Sequence, residues 1–534
     1  MLCAKYSDFL RWTVYQIYPR SFMDGSGDGI GDLRGILGKL DYLQALGVDA
    51  VWLCPCFKSP NDDNGYDISD YRDIMDEFGT MADMDALIDA LHRRGMKLIL
   101  DLVPNHTSTA HRWFRESRKG RDNPYSDFYY WFDQIPNDWQ SVFRGGAWEF
   151  DPVRGQYYLH SFATSQADLN WNCPAVVKAM QDVVDFWIAK GADGFRIDVI
   201  DYISKDFDRN RNGFGPRLHE FIRALFGREN TANLFTVGES SVRDIDEMIR
   251  HSAAERRELT TLFLFDHMAC GRADKFTPKP DSLKTLRDRL VYWQRETARH
   301  DLLPTLFLNN HDQAPMISRI ADDREKRYES ATCMAAMLYL LKGIPFIYQG
   351  DEIGMASPRY DSIACFNDIE TLNAYRAFCR EMSPEEALAK INFGSRDNAR
   401  RPMPWDGGKN GGFTAAETPW IALHSRRGEI NVAADLAADR SVWRFYQALL
   451  ALRRSRAAFL DGAMEPVSSP DDPFFVYTRS WEGETWAVVC NFETPRQISL
   501  PFRCAAPALA NLGRKTADGA YAPYECAVSR VESV

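Results

Sequence analysis

The feature that most constrains this chain is a repeated alternation of short apolar runs with helical patterns. Eight β-rich runs cover residues 14–17, 50–53, 98–102, 194–198, 235–237, 262–265, 305–308 and 346–348. Helical stretches such as 84–94 and 176–190 lie between them and are long enough to serve as crossovers. Eight strand–helix units in succession favour an α/β fold of the (β/α)8 TIM-barrel type over a doubly wound sheet, which stays the alternative.

Two parts of the chain depart from this alternation. The interval between the third and fourth runs is longer than one crossover helix requires, and its middle is rich in aromatic residues, Pro and Asp. This composition predicts an inserted irregular subdomain over residues 104–170. The last segment, 461–534, has β-type patterning and no helical period, which predicts a small C-terminal antiparallel β-sandwich domain. The catalytic barrel would then comprise residues 1–103 and 171–460.

The composition is that of a globular protein, with 45% hydrophobic and 26% charged residues. A net charge of −11 and the lack of a basic stripe argue against a nucleic-acid partner. No apolar run is long enough to span a bilayer, and the charged N-terminal stretch 1–12 is not a signal peptide, so a cytoplasmic location without a membrane partner is expected. The eleven cysteines lack the spacing of a zinc or redox site and are expected to be small buried hydrophobes.

Acidic residues follow several of the apolar runs. Asp101 ends the third run, Asp198 ends the fourth, Glu239 follows the fifth and Asp312 follows the seventh. In a (β/α)8 barrel the chemistry lies at the C-terminal ends of the strands. A single acid at such a position is more often a salt-bridge partner or a cap. Several acids converging on one rim are less common and predict an active site.

Two of these acids can divide the work of glycoside hydrolysis. That reaction requires one ionised carboxylate to attack the anomeric carbon and one protonated acid to donate to the leaving oxygen. Asp198 and Glu239 could take these parts, while Asp312 helps to hold the distorted sugar. Arg196 lies two residues before Asp198, so both side chains point to the same side of the strand. They could share the pocket, or form a buried ion pair that only fixes barrel register.

Four blocks of sequence carry a family resemblance. They are DLVPNH at 101–106, GFRID at 194–198, VGE at 237–239 and NNHD at 309–312, with further matches at 64–67, 343–350 and 395–400. In this order the chain resembles the α-amylase family of glycoside hydrolases, and within it the oligo-1,6-glucosidase, isomaltase and dextran glucosidase group. The resemblance extends over nearly the whole chain and implies an oligosaccharide substrate.

The resemblance also implies roles for particular residues. It gives Asp198 as the nucleophile, Glu239 as the acid/base and Asp312 as the transition-state stabiliser, with inversion at two successive steps and net retention of configuration. Asp63 and Arg400 match the pair that grips the far hydroxyls of the non-reducing glucose in exo-acting members, where a closed pocket releases one terminal glucose at a time. The residues that would surround the bound sugar are Tyr66, His106, Arg196 and His311.

Val199, directly after the implied nucleophile, bears on linkage preference. By resemblance, Val at this position is typical of members that act on α-1,6 bonds, whereas relatives that prefer α-1,4 bonds often have Ala or Thr. Val in a barrel strand also needs no functional reason. The expectation is a preference for isomaltose and isomalto-oligosaccharides over maltose.

The glycine-rich stretch 24–32 has oxygen-bearing side chains at alternate positions, as a hard cation requires. It resembles the metal loop of the group and implies a structural Ca²⁺ or Mg²⁺ ion, whereas a glycine turn without an ion is the alternative. No organic cofactor is expected. The implied ligands are Asp24, Ser26, Asp28, the backbone carbonyl of Ile30, and Asp32.

Several other activities remain open on sequence grounds. Trehalose-6-phosphate hydrolases share similar motifs, and the phosphate would require extra basic residues at the pocket mouth, for which Arg401 is a candidate. A sucrose isomerase or another transglucosylase is possible because a sugar can intercept a covalent glucosyl intermediate, and so is a broad α-1,4/α-1,6 glucosidase. Non-catalytic chains of amino-acid transporters also use this fold, but they have a membrane anchor and an eroded acid set. The oligomeric state is not predicted.

Overall fold

Eight parallel strands form a nearly closed barrel in the computed structural model, which describes residues 8–533. Residues 1–7 and 534, at the outer ends of the predicted barrel and C-terminal domain, lie outside the described residues. The barrel strands are β1 (Val14–Ile17), β2 (Ala50–Leu53), β3 (Lys97–Leu102), β4 (Gly194–Ile197), β5 (Phe235–Glu239), β6 (Thr261–Phe263), β7 (Thr305–Leu306) and β8 (Ile344–Tyr348). Around the barrel they follow the order β6-β5-β4-β3-β2-β1-β8-β7, and all seven adjacent pairs are parallel. This confirms the predicted α/β barrel.

Strands β6 and β7 are the two ends of this order, and side-chain hydroxyls bridge them. Thr305 Oγ1 donates to the carbonyl of Leu262 at 3.0 Å, and Thr261 Oγ1 donates to the carbonyl of Leu303. Both strands end earlier than the predicted runs 262–265 and 305–308. Beyond β7, Asn309 is held by side-chain hydrogen bonds, with its Oδ1 accepting from the backbone N–H of Met316 at 2.6 Å.

Local sequence signals explain where the barrel helices begin and end. The helix Met81–Arg93 starts at Thr80, which forms a capping box with Asp83. The helix Pro174–Lys190 starts with proline and stops at Gly191, which adopts a left-handed φ of 109°. The α-helices are Leu33–Leu37, Leu40–Leu46, Met81–Arg93, Arg112–Ser117, Pro174–Lys190, Leu218–Phe226, Ile245–Ser252, Leu283–Arg299, Ile317–Ile320, Arg327–Tyr339, Ile369–Phe378, Pro384–Gly394, Val432–Ala437, Val442–Ser455 and Ala457–Leu460.

An irregular, aromatic-rich segment lies between β3 and β4. Its strand His106–Ser108 pairs antiparallel with Gln166–Asp168, and the strand Gln156–Leu159 lies between Trp131–Phe132 and Trp148–Asp151 in a second small sheet. Phe143 and Phe162 of this segment line the cavity at the barrel mouth. The insertion thus supplies one wall of that cavity, while its predicted limits of 104–170 stay a prediction.

The C-terminal segment is antiparallel β-structure, as predicted. Its strands are β9 (Ala463–Pro466), β10 (Phe474–Trp481), β11 (Glu484–Asn491), β12 (Arg496–Ile498), β13 (Arg503–Cys504), β14 (Leu509–Ala510), β15 (Gly519–Tyr521) and β16 (Cys526–Ser533). The main sheet has the order β9-β10-β11-β16-β13 with β14 also paired to β16, and β12 pairs with β15 in a second sheet. Val476 and Val489 of the main sheet pack with Ile498 and Tyr521 of the second.

Two further expectations can be compared with the structure. Within residues 8–533, no helix combines the length and apolarity needed to cross a bilayer. The ten cysteines of the described chain are free thiols, and six of them are buried. This burial agrees with the expectation that they act as small hydrophobes.

Candidate active site

Three acids meet around the guanidinium of Arg196 at the C-terminal end of the barrel. Arg196 Nη1 donates to Asp101 Oδ1 at 2.7 Å and to Asp198 Oδ1 at 2.8 Å, and its Nη2 donates to Glu239 Oε2 at 2.6 Å. The parallel register of β3 and β4 places Arg196 directly beside Asp101. Both of these side chains are buried. Arg196 and Asp198 therefore form a buried ion pair. The same guanidinium also holds Asp101 from β3 and Glu239 from β5.

Charge in this group is unevenly balanced, because one guanidinium faces three carboxyl groups. Burial raises the pKa of Asp198, the adjacent Arg196 lowers it, and the carboxylates of Glu239 and Asp101 raise it further, so that the net direction is well above the usual range. The imbalance favours retention of a proton within the group. Oε1 of Glu239 has no hydrogen-bond partner among the described residues, whereas Oε2 accepts from Arg196 and from the backbone N–H of Val199 at 3.2 Å.

Asp312 lies in a different electrostatic environment. Its Oδ1 accepts from Arg400 Nη2 at 2.6 Å and from Arg396 Nη1 at 3.3 Å, and its Oδ2 lies 3.1 Å from His311 Nε2. Burial raises the pKa of Asp312, but the charges of His311, Arg400 and Arg396 outweigh it and hold the pKa well below the usual range. Asp312 therefore stays ionised and can face positive charge that develops on a bound sugar.

An aromatic–imidazole pair joins these two groups of acids. The rings of Tyr66 and His311 stack with centroids 5.4 Å apart, and Tyr66 Oη lies 2.6 Å from His311 Nε2. Gln16 Nε2 lies 2.8 Å from the other ring nitrogen of His311, Nδ1. Tyr66 Oη donates in turn to Asp101 Oδ2 at 3.1 Å. The network fixes the orientation of His311 between Asp101 and Asp312.

Asp63 and His106 lie on the side of the cavity formed with the inserted segment. Gln166 Nε2 donates to Asp63 Oδ2 at 3.0 Å and lies 3.2 Å from His106 Nε2. Burial lowers the pKa of His106 to about 4, so its ring is neutral at pH 7. Arg396 Nη2 donates to Asp63 Oδ1 at 2.9 Å.

Arg396 was not singled out by the sequence analysis, although it stands in the matched stretch 395–400. Its guanidinium contacts Asp63 and shares both Asp312 and Asp368 with Arg400. No direct ion pair joins Asp63 to Arg400 within the described chain. Arg396 thus lies between the two residues that the resemblance assigned to the far end of the sugar.

Val199 lies in a strained turn and not in a barrel strand. Strand β4 ends at Ile197, and Val199 adopts φ 35° and ψ 50°, in the left-handed region that a β-branched residue rarely occupies. Strand propensity therefore does not explain a valine here. The turn aims the backbone N–H of Val199 at Glu239 and directs the chain away from Asp198 into the mouth of the site.

A cavity of about 240 Å³ contains all three predicted catalytic acids in its lining. Asp63, Tyr66, His106 and Val199 also line it, together with Arg396, whereas Arg196, His311 and Arg400 contact lining residues from behind. A second cavity of about 600 Å³ shares Val199, Tyr202, Glu239, Ser241 and Gln313 with the first and continues the site past Glu239.

Arg401 does not provide the phosphate site for which it was a candidate. Its side chain is fully buried, and its Nη1 donates to the carbonyls of Cys365 at 2.6 Å and Ala422 at 3.2 Å. The guanidinium packs over the rings of Tyr360 and Phe366. It is absent from the lining of both cavities at the barrel mouth.

The predicted cation loop is a turn held by hydrogen bonds to its own carboxylates. Asp24 accepts from Thr414 Oγ1 and from the backbone N–H groups of Gly29 at 2.8 Å and Gly27 at 2.6 Å. Burial raises the pKa of Asp24, but these hydrogen bonds outweigh it and lower the pKa. Asp32 accepts from the N–H of Ser26 at 2.8 Å, and Asp28 accepts from the N–H of Ile30 at 2.9 Å. The donor atoms suit a hard cation, but within the described residues the three acids do not converge to within 4.8 Å of one another.

A (β/α)8 barrel with paired acids at the C-terminal ends of its strands and a cavity above them is an arrangement that glycoside hydrolysis requires. The family model described as "Alpha amylase, catalytic domain" matches residues 16–462. The chain belongs to the alpha-amylase family.

Individual relatives cover most of the chain. It is 47% identical over 504 residues to an oligo-1,6-glucosidase of Parageobacillus thermoglucosidasius, covering 90% of this chain and 89% of the relative. It is 41% identical over 507 residues to a trehalose-6-phosphate hydrolase of Bacillus subtilis (strain 168), covering 91% and 90%. Among solved structures, the trehalose-6-phosphate hydrolase of Bacillus licheniformis superposes with a TM-score of 0.91 at 38% identity, covering 98% of this chain and 99% of the other. The trehalulose synthase of Pseudomonas mesoacidophila MX-45 gives 0.92 at 36% identity, with the same coverage.

Proposed function

We propose that this protein is an exo-acting, retaining α-glucosidase that hydrolyses terminal α-1,6-glucosidic bonds of isomaltose and isomalto-oligosaccharides. The observation that carries the proposal is that Asp198 and Glu239 bond to the same guanidinium and line one cavity with Asp312. A retaining mechanism requires two carboxyl groups about 5–5.5 Å apart, and a guanidinium shared by both acids supports a short separation between them.

In the first chemical step, a carboxylate oxygen of Asp198 attacks the anomeric carbon while Glu239 donates its proton to the glycosidic oxygen. The C–O bond to the leaving sugar breaks, and a covalent glucosyl ester forms on Asp198. Oε1 of Glu239 is the oxygen available for donation, because Oε2 accepts hydrogen bonds from Arg196 and Val199. In the second step Glu239 takes a proton from water, the water oxygen bonds to the anomeric carbon, and Asp198 leaves.

Asp312 supports both steps through its charge. It is held ionised by His311, Arg400 and Arg396, so it opposes the positive charge that builds up on the ring during each displacement. Arg196 holds the other acids in place, and its charge opposes the burial and the neighbouring carboxylates that together raise the pKa of Asp198. The cavity is thus lined by one arginine-centred group that holds Asp198 and Glu239 and by a second that holds Asp312.

The closed end of the cavity supports exo action. Asp63 is buried and is held by Gln166 and Arg396, so its oxygens are positioned to accept hydrogen bonds from the hydroxyls of a terminal glucose. Arg396, which donates to Asp63, packs over the ring of Phe143, and both line the cavity at this end, which supports a pocket that does not admit a longer chain there. The site therefore suits a non-reducing end, with the remainder of the substrate in the wider cavity past Glu239.

The linkage preference rests on Val199 and on relatives named oligo-1,6-glucosidase at 47%, 45% and 44% identity. The test is a kcat/KM panel with isomaltose, maltose, sucrose and trehalose 6-phosphate. Isomaltose should give the highest value, with α-glucose as the first product by NMR. A higher value for trehalose 6-phosphate would place the chain with the trehalose-6-phosphate hydrolases, and isomerised products from sucrose would place it with the sucrose isomerases.

Two further expectations are also proposals. A structural Ca²⁺ or Mg²⁺ at the loop 24–32 is supported by its oxygen donors, and metal analysis after dialysis tests it. A cytoplasmic location is supported by ten free thiols in the described chain. Fractionation of the source cells tests the location, and recovery of the protein from outside the cytoplasm would contradict it.

A further inference from the structure

A group of metal-ligand side chains lies outside the catalytic cavity, between the helices that follow β4 and β5. His219 comes from the helix Leu218–Phe226, and Glu247 and His251 come from the helix Ile245–Ser252. One nitrogen of each imidazole and one oxygen of Glu247 lie within 4.8 Å of one another, and the described residues contain no other group of three His, Cys, Asp or Glu that meets this condition. The centroids of the two rings are 4.7 Å apart, and the ring planes are inclined at 67°.

The hydrogen bonds of His251 leave one of its nitrogens as a buried, unused acceptor. Its Nδ1 lies 2.8 Å from the backbone carbonyl of Glu247, and because a carbonyl can only accept, the ring proton is on Nδ1. Nε2 then carries the lone pair. It is buried, has no hydrogen-bond partner, and lies 3.9 Å from another acceptor, Oδ1 of Asp201. A buried nitrogen that accepts no hydrogen bond is a costly arrangement, and a cation bound to its lone pair would relieve it.

The other imidazole has the support that metal-binding histidines usually have. His219 Nδ1 lies 2.7 Å from Oε2 of the buried Glu258, and Glu258 is fixed by Arg223 at 2.9 Å and Arg256 at 2.7 Å. A carboxylate that accepts from one ring nitrogen orients the opposite nitrogen toward a metal and raises its basicity. In Glu247, Oε1 accepts from Arg250 at 3.0 Å, and Oε2 is without a hydrogen bond in the described chain.

We propose that His219, Glu247 and His251 bind one divalent transition-metal ion of the Zn²⁺ class through the two imidazole Nε2 atoms and Glu247 Oε2. Two imidazoles and one carboxylate are ligands for Zn²⁺, whereas Ca²⁺ and Mg²⁺ require mainly oxygen. A cavity of about 770 Å³ reaches His219 and Glu247 from solvent, which gives the ion an access path and leaves room for a water ligand.

The position of the site gives it a mechanical role. Asp201, which faces His251, accepts from Ser240 Oγ at 2.8 Å and from the backbone N–H of Ser241 at 2.6 Å. These serines directly follow Glu239, and Asp201 lies three residues after Asp198. An ion at this point would tie together the two helices behind the loops that carry the proposed nucleophile and acid/base, and it would stabilise the folded state by binding.

The test is calorimetric titration of the full chain with ZnCl2 after chelator treatment, in buffer with excess Ca²⁺ so that any hard-cation site is filled. The wild type should bind one Zn²⁺ per chain at this site, with a rise in Tm. His219→Gln should weaken binding at least 10-fold, and Glu258→Gln, which removes only the orienting carboxylate, should weaken it about 10–100-fold.

Two control variants isolate the site. His300→Gln changes an exposed histidine at a helix end, and Cys379→Ser removes an exposed thiol that could bind Zn²⁺; both should keep wild-type affinity. If His219→Gln fails to fold, as judged by circular dichroism, Glu247→Gln takes its place. Absence of stoichiometric Zn²⁺ binding by the wild type, or equal affinity in the ligand variants and the controls, would overturn the proposal.

Discussion

Replacement of Arg396 by Gln probes the part of the site that closes around the far end of the sugar. Arg396 is buried, donates to Asp63 at 2.9 Å and to Asp312 at 3.3 Å, and also contacts Asp368. Its guanidinium lies 4.9 Å from the ring centroid of Phe143. Glutamine keeps part of the volume but removes the positive charge.

The expected loss of activity follows from the charges that lose their partner. A hydrogen bond to a charged group is worth about 1.5–3 kcal/mol, and two such bonds, to Asp63 and Asp312, involve residues that line the sugar cavity. If about half of their sum is felt in the transition state, the activation free energy rises by about 1.5–3 kcal/mol and kcat/KM falls about 10- to 150-fold. Folding stability should fall as well, because the buried Asp63 and Asp368 lose a cation partner.

Arg401→Gln is the matched control for this prediction. Arg401 belongs to the same segment, is equally buried and packs over aromatic rings, but its partners are carbonyls and no active-site acid. Both variants should have a lower Tm. Only Arg396→Gln should lose kcat/KM per folded molecule, measured on isomaltose at a temperature well below both Tm values. Wild-type kcat/KM in Arg396→Gln, or an equal loss in both variants, would refute this reasoning.

Three further predictions address specificity, metal and pH. Val199→Thr should lower the ratio of kcat/KM for isomaltose to kcat/KM for maltose about 10-fold, which is within the 1–3 kcal/mol typical of one pocket group. An unchanged ratio would contradict the linkage argument. Chelator should lower Tm if a cation occupies 24–32, and addition of Ca²⁺ should restore it; an identical Tm in chelator and in Ca²⁺ would count against the ion. Burial lowers the pKa of His424 to about 4, whereas the unfolded value is about 6.5, so its contribution to stability is complete above pH 6.5 and is lost as pH falls toward 4. Lowering the pH from 7 to 5 should therefore reduce the unfolding free energy of His424→Gln by about 2 kcal/mol less than that of the wild type, measured by denaturant titration. Equal reductions in both proteins would show that the ring does not titrate in this way.

The barrel could be predicted from the sequence because each strand is a short apolar run and the order of strands in a parallel barrel follows the chain. All eight runs became barrel strands. The ends of β6 and β7 were less predictable, since side-chain hydrogen bonds from Asn309 Nδ2 to Asp351 and from Thr305 Oγ1 to Leu262 replace the backbone ladder there. Such bonds depend on partners that are distant in sequence.

The site was predictable where a residue's position follows from strand geometry. Asp198 and Glu239 meet because parallel strands end at one rim, and the register of β3 with β4 adds Asp101. The contacts of Arg396 and Gln166 were not accessible in this way, because both residues lie outside the barrel strands and reach Asp63 only through the fold. The misassignment of Arg401 has the same cause: adjacency to Arg400 in sequence does not place its side chain in the same cavity.

The covalent intermediate offers the most direct test of the central claim that Asp198 is the nucleophile. A 5-fluoro-α-glucosyl fluoride should inactivate the enzyme by forming a glucosyl ester that turns over slowly, and peptide mapping by mass spectrometry locates the label. The account predicts one label per chain, on Asp198, and none in Asp198→Asn. A label on Glu239, Asp312 or any other residue would contradict it.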